Sequence, residues 1–425
     1  MTYEEALTYI HSVCWKGSVP GLSRTQELLA KMGNPEKTVK YVHITGTNGK
    51  GSTAAMTASV LRKAGYKVGL YTSPYLWRFN ERMNIDGCDI DDQELADITE
   101  FVRPLAETMT DKPTEFELVS VIGFEYFARH KCDIVVLEVG MGGALDSTNV
   151  IPAPEVAVIT NIGLDHTEYL GSTLEAIAAT KSGIIKPGCE AVLYESTEGV
   201  HEAVKAACRK QGVNLSIADF GAITAKDYDF SGQTFSYKDF SDVRLPLLGN
   251  HQLRNCAVVL ETVQALRRQG WKISDKNVYE GIADTVWPGR FELLSKSPVF
   301  IVDGGHNPQC LYALAENTAL YLKGKDITAL TGVMADKDYM DMYAAMAPYI
   351  SRFVTVTPDN PRSLAGETLA SLLTERFGKP AVAASSVEEG VLEAIRQAGN
   401  DGVVLAFGSL YMTGTIRAKV KELNT

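Results

Sequence analysis

Ile44-Thr45-Gly46-Thr47-Asn48-Gly49-Lys50-Gly51-Ser52-Thr53 is the stretch on which the reading of this chain turns. It follows a β-branched apolar run, Tyr41–Thr45, and opens a helix-like segment, Ser52–Lys63. Glycines let the backbone curl so that several N–H groups face one anion, and a helix N-terminus adds a favourable dipole. Gly46, Thr47, Asn48, Gly49, Lys50, Gly51 and Ser52 therefore read as a nucleotide-phosphate loop, with the Lys50 ammonium reaching the terminal phosphates. The spelling departs from the usual Gly-x-x-x-x-Gly-Lys-Ser/Thr. Gly51 occupies the place of the hydroxyl that normally holds magnesium, so another residue must supply that ligand.

Outward from this loop the same punctuation repeats. Val68–Tyr71, Ile134–Val139 and Val156–Thr160 are short apolar runs, and Phe116–Arg129 has helical character. Such runs alternating with helices predict buried, mostly parallel strands joined by crossovers. The pattern restarts after residue 295, with Val299–Val302, Ile327–Leu330, Phe353–Val356 and Val403–Phe407. A chain of 425 residues exceeds the roughly 250–300 that one core serves. The expectation is an α/β protein with two domains, 1–295 and 296–425. Trp287-Pro288-Gly289-Arg290 and the break around Ser295–Pro298 form the linker candidate.

Open α/β sheets bind ligands beyond the carboxyl ends of their strands. The residues there are polar and specific: Thr72-Ser73-Pro74, Glu138-Val-Gly, Asn161, Asp303-Gly-Gly-His306 and Gly408-Ser409. A formal charge of −11 makes the protein a poor binder of nucleic acid or anionic membrane. Seven cysteines, an odd number without a C-x-x-C pair, argue against a disulfide framework or zinc knuckle and fit reduced thiols in the cytoplasm. No apolar run approaches the ~20 residues of a membrane span, and the first residues carry no secretion signal.

The loop is the first of many motifs in a fixed order. They include Thr72-Ser73-Pro74-Tyr75-Leu76, Arg78-Phe-Asn-Glu-Arg82, Leu137-Glu138-Val-Gly-Met-Gly-Gly143 and Asp146-Ser-Thr-Asn149. Gly163-Leu-Asp-His166, Lys181-Ser-Gly-Ile-Ile-Lys-Pro187, Gly249-Asn-His-Gln-Leu-Arg-Asn255, Trp287-Pro-Gly-Arg290 and Asp303-Gly-Gly-His-Asn-Pro308 follow. Together they resemble the folylpolyglutamate synthase/dihydrofolate synthase family of the Mur ligase superfamily, nearly end to end. The resemblance implies an N-terminal P-loop-like ATPase domain and a smaller C-terminal Rossmann-like α/β domain, with the active site in the cleft between them.

It also implies ATP-dependent ligation of L-glutamate to tetrahydrofolate through an acyl phosphate, with dihydropteroate left open as a second acceptor, by a monomer. Ser73, Glu138 and His166 would hold magnesium, and Ser73 can replace the hydroxyl missing at Gly51. Glu138 ends a strictly apolar strand, where an unused carboxylate is costly. Lys181 would be carbamylated and hold a second magnesium. Thr180 stands where relatives have Glu. Arg290 and Asn255 would contact the nucleotide, Asp303 its ribose, and His306 the phosphates or incoming glutamate.

Ser409 would contact glutamate. Tyr75, Trp77 and Phe79 are available to stack on a flat ring, with Arg82 and Asp146 also on the acceptor side. Ala144 replaces an arginine common among relatives. The rivals are a ligase acting on a peptidoglycan precursor, disfavoured because the loop begins by residue 46, and a nucleotide-binding module without ligase chemistry.

Overall fold

The computed structural model describes residues 1–13, 20–165 and 167–424. By proximity of its Cα atoms the chain divides into two compact units. Unit 1 is Met1–Thr224, Ser236–Val243 and Arg254–Thr285; unit 2 is Ala225–Phe235, Arg244–Leu253 and Val286–Thr425.

Unit 1 is built on an eight-stranded sheet. Its strands are β1 (Lys40–Thr45), β2 (Val68–Tyr71), β3 (Met83–Ile85), β4 (Cys88–Asp89), β5 (Ile134–Glu138), β6 (Val156–Ile159), β7 (Glu190–Leu193) and β8 (Asn214–Ile217). Their order is β4-β3-β2-β5-β1-β6-β7-β8. Six run parallel and the β3–β4 edge is antiparallel. The parallel strands carry apolar residues on successive positions because helices cover both faces. Helices Glu115–Arg129 and Asp92–Glu107 bury Leu118, Phe124 and Leu95 on one side. On the other, Ile177 and Val204 pack with Ala157 and Ile159. The order reverses between β5 and β6 around β1, so the loop after β1 lies at the switch point, where such sheets bind ligands.

A three-stranded sheet follows, β9 (Ile223–Asp229), β10 (Gly232–Tyr237) and β11 (Phe240–Leu245). The division between units runs through it. Its first strand, β9, is polar and largely exposed, so it shows no strand signal in the sequence.

Unit 2 carries a six-stranded sheet of β12 (Glu292–Lys296), β13 (Val299–Val302), β14 (Ile327–Thr331), β15 (Arg352–Thr355), β16 (Ala381–Ala383) and β17 (Val403–Phe407). The order is β12-β13-β17-β14-β15-β16, parallel except for β12. The residues expected to break the chain, Ser295–Pro298, instead turn a β12–β13 hairpin that unit 2 contains whole. Because β12 is a half-exposed edge strand, its sequence lacks an apolar run. Cys88, Cys132, Cys189, Cys208, Cys256 and Cys310 are free thiols. No helix of the described residues is long and apolar enough to cross a membrane.

Candidate active site

The loop Gly46–Gly49 joins β1 to the helix Lys50–Lys63. It is locked from the β6 side. Thr47 N–H donates to the Asn161 carbonyl at 2.7 Å, and Thr160 Oγ1 donates to Asn48 O at 2.8 Å. Thr47 Oγ1 meets both the carbonyl and the N–H of Gly163 at 3.0 Å. Gly46 has φ +154°, and a Cβ there would sit 1.8 Å from Thr160 Oγ1. Gly49 has φ +86°, and its Cβ would sit 2.5 Å from Asn255 Oδ1. Glycine is therefore required at both points by close approach as well as by backbone angle. The second contact brings Asn255, expected to meet the nucleotide, against the loop.

Two lysines converge on this loop. Lys50 Nζ donates to the carbonyls of Gly46 and Thr47, each at 3.2 Å, and lies 4.0 Å from Glu138 Oε1. Lys181 Nζ donates to the Gly46 carbonyl at 2.9 Å. Its residue is only 3% exposed. Burial, reinforced by the nearby Lys50 charge, lowers the Lys181 amine to about 7. A buried lysine with such a pKa is neutral in a substantial fraction of molecules near neutral pH. That is the form able to act as a nucleophile toward carbon dioxide.

Glu138, at the end of β5, is 4% exposed, and the Ser73 N–H approaches its Oε2 at 3.4 Å. The Asn161 Oδ1 atom, beside the loop, is buried without a hydrogen-bond partner. A carboxylate, a serine hydroxyl and an unsatisfied amide oxygen are the kind of oxygen ligand that magnesium takes. His166 lies outside the described residues. Among the described residues, no three or more His, Cys, Asp or Glu side chains gather as a metal site. The expected set has only Glu138 of that kind besides His166, so most coordination positions would fall to water and phosphate.

The segment after β5 closes the floor. Gly143 packs directly on the Lys181 backbone; a Cβ would meet Lys181 O at 2.6 Å. Ala144 N–H donates to Thr180 O at 3.1 Å, so residues 143–144 and 180–181 fix one another. Asp146 is buried, and burial raises its carboxyl pKa against the opposing pull of its hydrogen bonds. It accepts from Met141 N–H, Thr148 N–H and the Thr148 hydroxyl at 2.8, 3.0 and 2.5 Å. Thr148 Oγ1 in turn contacts His43 Nε2 at 3.0 Å in the sheet interior. Asp146 is thus bound into the turn that supports Lys181.

On the β2 side, residues 73–82 form a closed loop. Thr72 N–H donates to Arg82 O at 3.1 Å. The Arg82 guanidinium lies over the rings of Tyr75 and Phe79, 5.1 and 5.5 Å from their centroids, and its Nε is buried without a partner. Phe79, expected to be available for stacking on a ligand, is instead 3% exposed. It packs into the core with its edge against His11. Trp77 projects into solvent, and Tyr75 is half-buried.

In unit 2, Arg290 Nη1 donates to the Gly289 carbonyl at 3.0 Å and lies where a Cβ on Gly304 would meet it at 2.7 Å. Asp303, just past β13, accepts from Phe291 N–H and Gly305 N–H at 2.8 and 2.7 Å. Both oxygens hold the turn together, and the remaining lone pairs are what a ribose could use. His306 Nδ1 contacts Gly304 O at 2.9 Å. Beyond β17, Gly408 N–H donates to Gly305 O at 3.1 Å, and Ser409 Oγ accepts from Tyr411 N–H at 3.2 Å. The β13 and β17 ends that carry Asp303, His306 and Ser409 therefore adjoin.

Residues 44–263 match the Mur ligase middle domain, and residues 289–410 match the Mur ligase glutamate ligase domain. The folylpolyglutamate synthase of Lacticaseibacillus casei is 37% identical over 432 residues, covering 98% of each chain. This chain belongs to the folylpolyglutamate synthase/dihydrofolate synthase family. Another member, the dihydrofolate synthase/folylpolyglutamate synthase of Bacillus subtilis, is 35% identical over 434 residues, covering 99% of each chain. The family fold is shared with Escherichia coli FolC, solved in complex with DHPP and ADP. It superposes with a TM-score of 0.88 at 28% identity, over 100% of this chain and 99% of that one. The two-domain α/β architecture expected from the motifs is the family's.

Proposed function

We propose that this chain is an ATP-dependent ligase that adds L-glutamate to tetrahydrofolate, with dihydropteroate as a second acceptor to be tested. The observation that carries the reading is the meeting of Lys50 and Lys181 on the Gly46 carbonyl, in a phosphate loop at the switch point of a family-type sheet. The acceptor carboxylate attacks the γ-phosphorus of ATP, the bond to the β-phosphate oxygen breaks, and ADP leaves. The glutamate amine then attacks the acyl carbon, a tetrahedral intermediate forms, and phosphate departs with the bridging oxygen. The amine loses its proton in that step.

The protein's contribution is positioning and charge stabilisation. The loop N–H groups and Lys50 hold the terminal phosphates. Asn255 and Arg290 serve as further nucleotide ligands, and Asp303 accepts from the ribose. His306 and Ser409 serve the phosphates and the incoming glutamate. Tyr75, Arg82 and Asp146 belong to the acceptor side.

Ser73, Glu138 and His166 would hold magnesium, which when bound neutralises phosphate charge. A carbamate on Lys181 would turn this buried cation into an anion able to hold a second magnesium. Its low-pKa amine supports that assignment. Unit 1 would serve ATP and unit 2, which takes in Val286–Thr425, would serve glutamate, in a cytoplasmic monomer acting on small molecules.

The test is ADP release with ATP, magnesium and glutamate, comparing tetrahydrofolate with dihydropteroate. Turnover with both establishes a bifunctional enzyme, and turnover with tetrahydrofolate alone a chain-extending synthase. Turnover with neither overturns the folate reading.

A further inference from the structure

Glu81 closes the loop 73–82 on itself. Glu81 Oε2 accepts from Leu76 N–H at 2.8 Å, and Oε1 accepts from Trp77 N–H at 3.1 Å and Arg78 N–H at 2.9 Å. Three successive main-chain donors at the loop tip thus converge on one side chain from the loop's own far end. Irregular backbone must place its N–H groups somewhere, and charge-assisted bonds to a carboxylate are the strong choice.

The flanks are tied independently. Tyr3 OH donates to Asn80 Oδ1 at 2.7 Å, Asn80 Nδ2 donates to Ile90 O at 2.6 Å, and Arg78 pairs with Asp92 at 2.6 Å. Phe79 anchors in the core. These contacts fix residues 78–80 and leave Glu81 to shape 76–78.

The consequence is an exposed aromatic on a preorganised support. Trp77 is 52% exposed although its N–H is fixed, and Tyr75 lies on the Arg82 guanidinium beside it. A tryptophan held in water by a built loop gains nothing from burial, whereas a flat ring stacked on it would gain contact without an ordering cost.

We propose that Glu81 is a positioning residue that sets affinity for the acceptor's flat heteroaromatic ring by fixing the loop tip that carries Tyr75 and Trp77. The proposal rests on the reading of residues 73–82 as the acceptor side. Substituting Glu81→Ala removes all three acceptor contacts. Glu81→Gln keeps a single carbonyl oxygen, so it retains part of them.

The experiment measures the tetrahydrofolate dissociation constant by calorimetry, and KM for tetrahydrofolate and ATP, on the full chain and both variants. Expected is a tenfold or greater weakening for tetrahydrofolate in Glu81→Ala, an intermediate value in Glu81→Gln, and an ATP KM within twofold of the parent. If Glu81→Ala does not fold, the Gln variant carries the same criterion, with threefold weakening expected. Parent-like tetrahydrofolate affinity in a folded variant overturns the role of Glu81 alone. Absence of tetrahydrofolate binding by the unsubstituted chain overturns the acceptor reading and this inference with it.

Discussion

Lys50 and Lys181 donate to the same main-chain oxygen, that of Gly46, at 3.2 and 2.9 Å. Burial, reinforced by the neighbouring Lys50 cation, lowers Lys181 to about 7. In the proposed reaction Lys50 serves phosphate, while the buried Lys181 is held toward its neutral form.

This has a pH signature. The folded Lys181 pKa lies near 7 against 10.5 for an unperturbed lysine, so between those values the unfolded chain binds more protons. Stability contributed at this site therefore rises as pH increases through that window. Lys181→Met removes the desolvated cation and is expected to gain about 1–3 kcal/mol at pH 7 while abolishing ligation. Urea midpoints at pH 7 and 9.5 check it. The parent minus Met difference should shrink at the higher pH, and parallel curves would refute the assignment.

Lys50→Ala should leave the fold intact, because among the described residues its Nζ binds loop carbonyls and lies at long range from Glu138. Loss of a phosphate-facing charge is expected to cost about 10²–10³ in kcat for glutamate-dependent ADP release. Full turnover by the variant would remove the loop from the mechanism.

Gly49→Ala carries two separable penalties: the positive φ, and a Cβ 2.5 Å from Asn255 Oδ1. A loss of about 2–4 kcal/mol is expected, reduced to about 1–2 kcal/mol in Gly49→Ala/Asn255→Ala, since only the backbone strain then remains. Denaturant unfolding of the four chains measures the coupling, and strict additivity would contradict the contact.

Asp303→Asn turns an amide N–H₂ toward a main-chain donor, at Phe291 or Gly305. It should destabilise the protein by about 1–3 kcal/mol, as well as raising the ATP KM. A raised KM with unchanged thermal stability would mean that ribose contact is its sole role.

Much of this was legible in the sequence because it is local. Val68–Tyr71, Val299–Val302 and Val403–Phe407 are strands with the expected ends, and the phosphate loop connects the expected strand and helix. Lys50 and Glu138 could be singled out from neighbouring residues alone. Other features depend on partners far along the chain. Glycine at 46 is dictated by Thr160, and at 49 by Asn255. Phe79 resembles a stacking residue in sequence, but it is buried in a core assembled from distant segments, with its ring against His11. Edge strands such as β12 lack the apolar run that marks buried ones, so this hairpin resembles a linker in sequence. Glu81 reads as a surface charge because its partners are main-chain N–H groups that any sequence would supply.

In the proposed reaction ATP activates the acceptor as an acyl phosphate. Tetrahydrofolate labelled with ¹⁸O in its terminal carboxylate, incubated with ATP, magnesium and glutamate, tests it most directly. Phosphate carrying one ¹⁸O atom, formed in step with glutamylated product, is the predicted result; product formed with unlabelled phosphate would rule out the acyl phosphate.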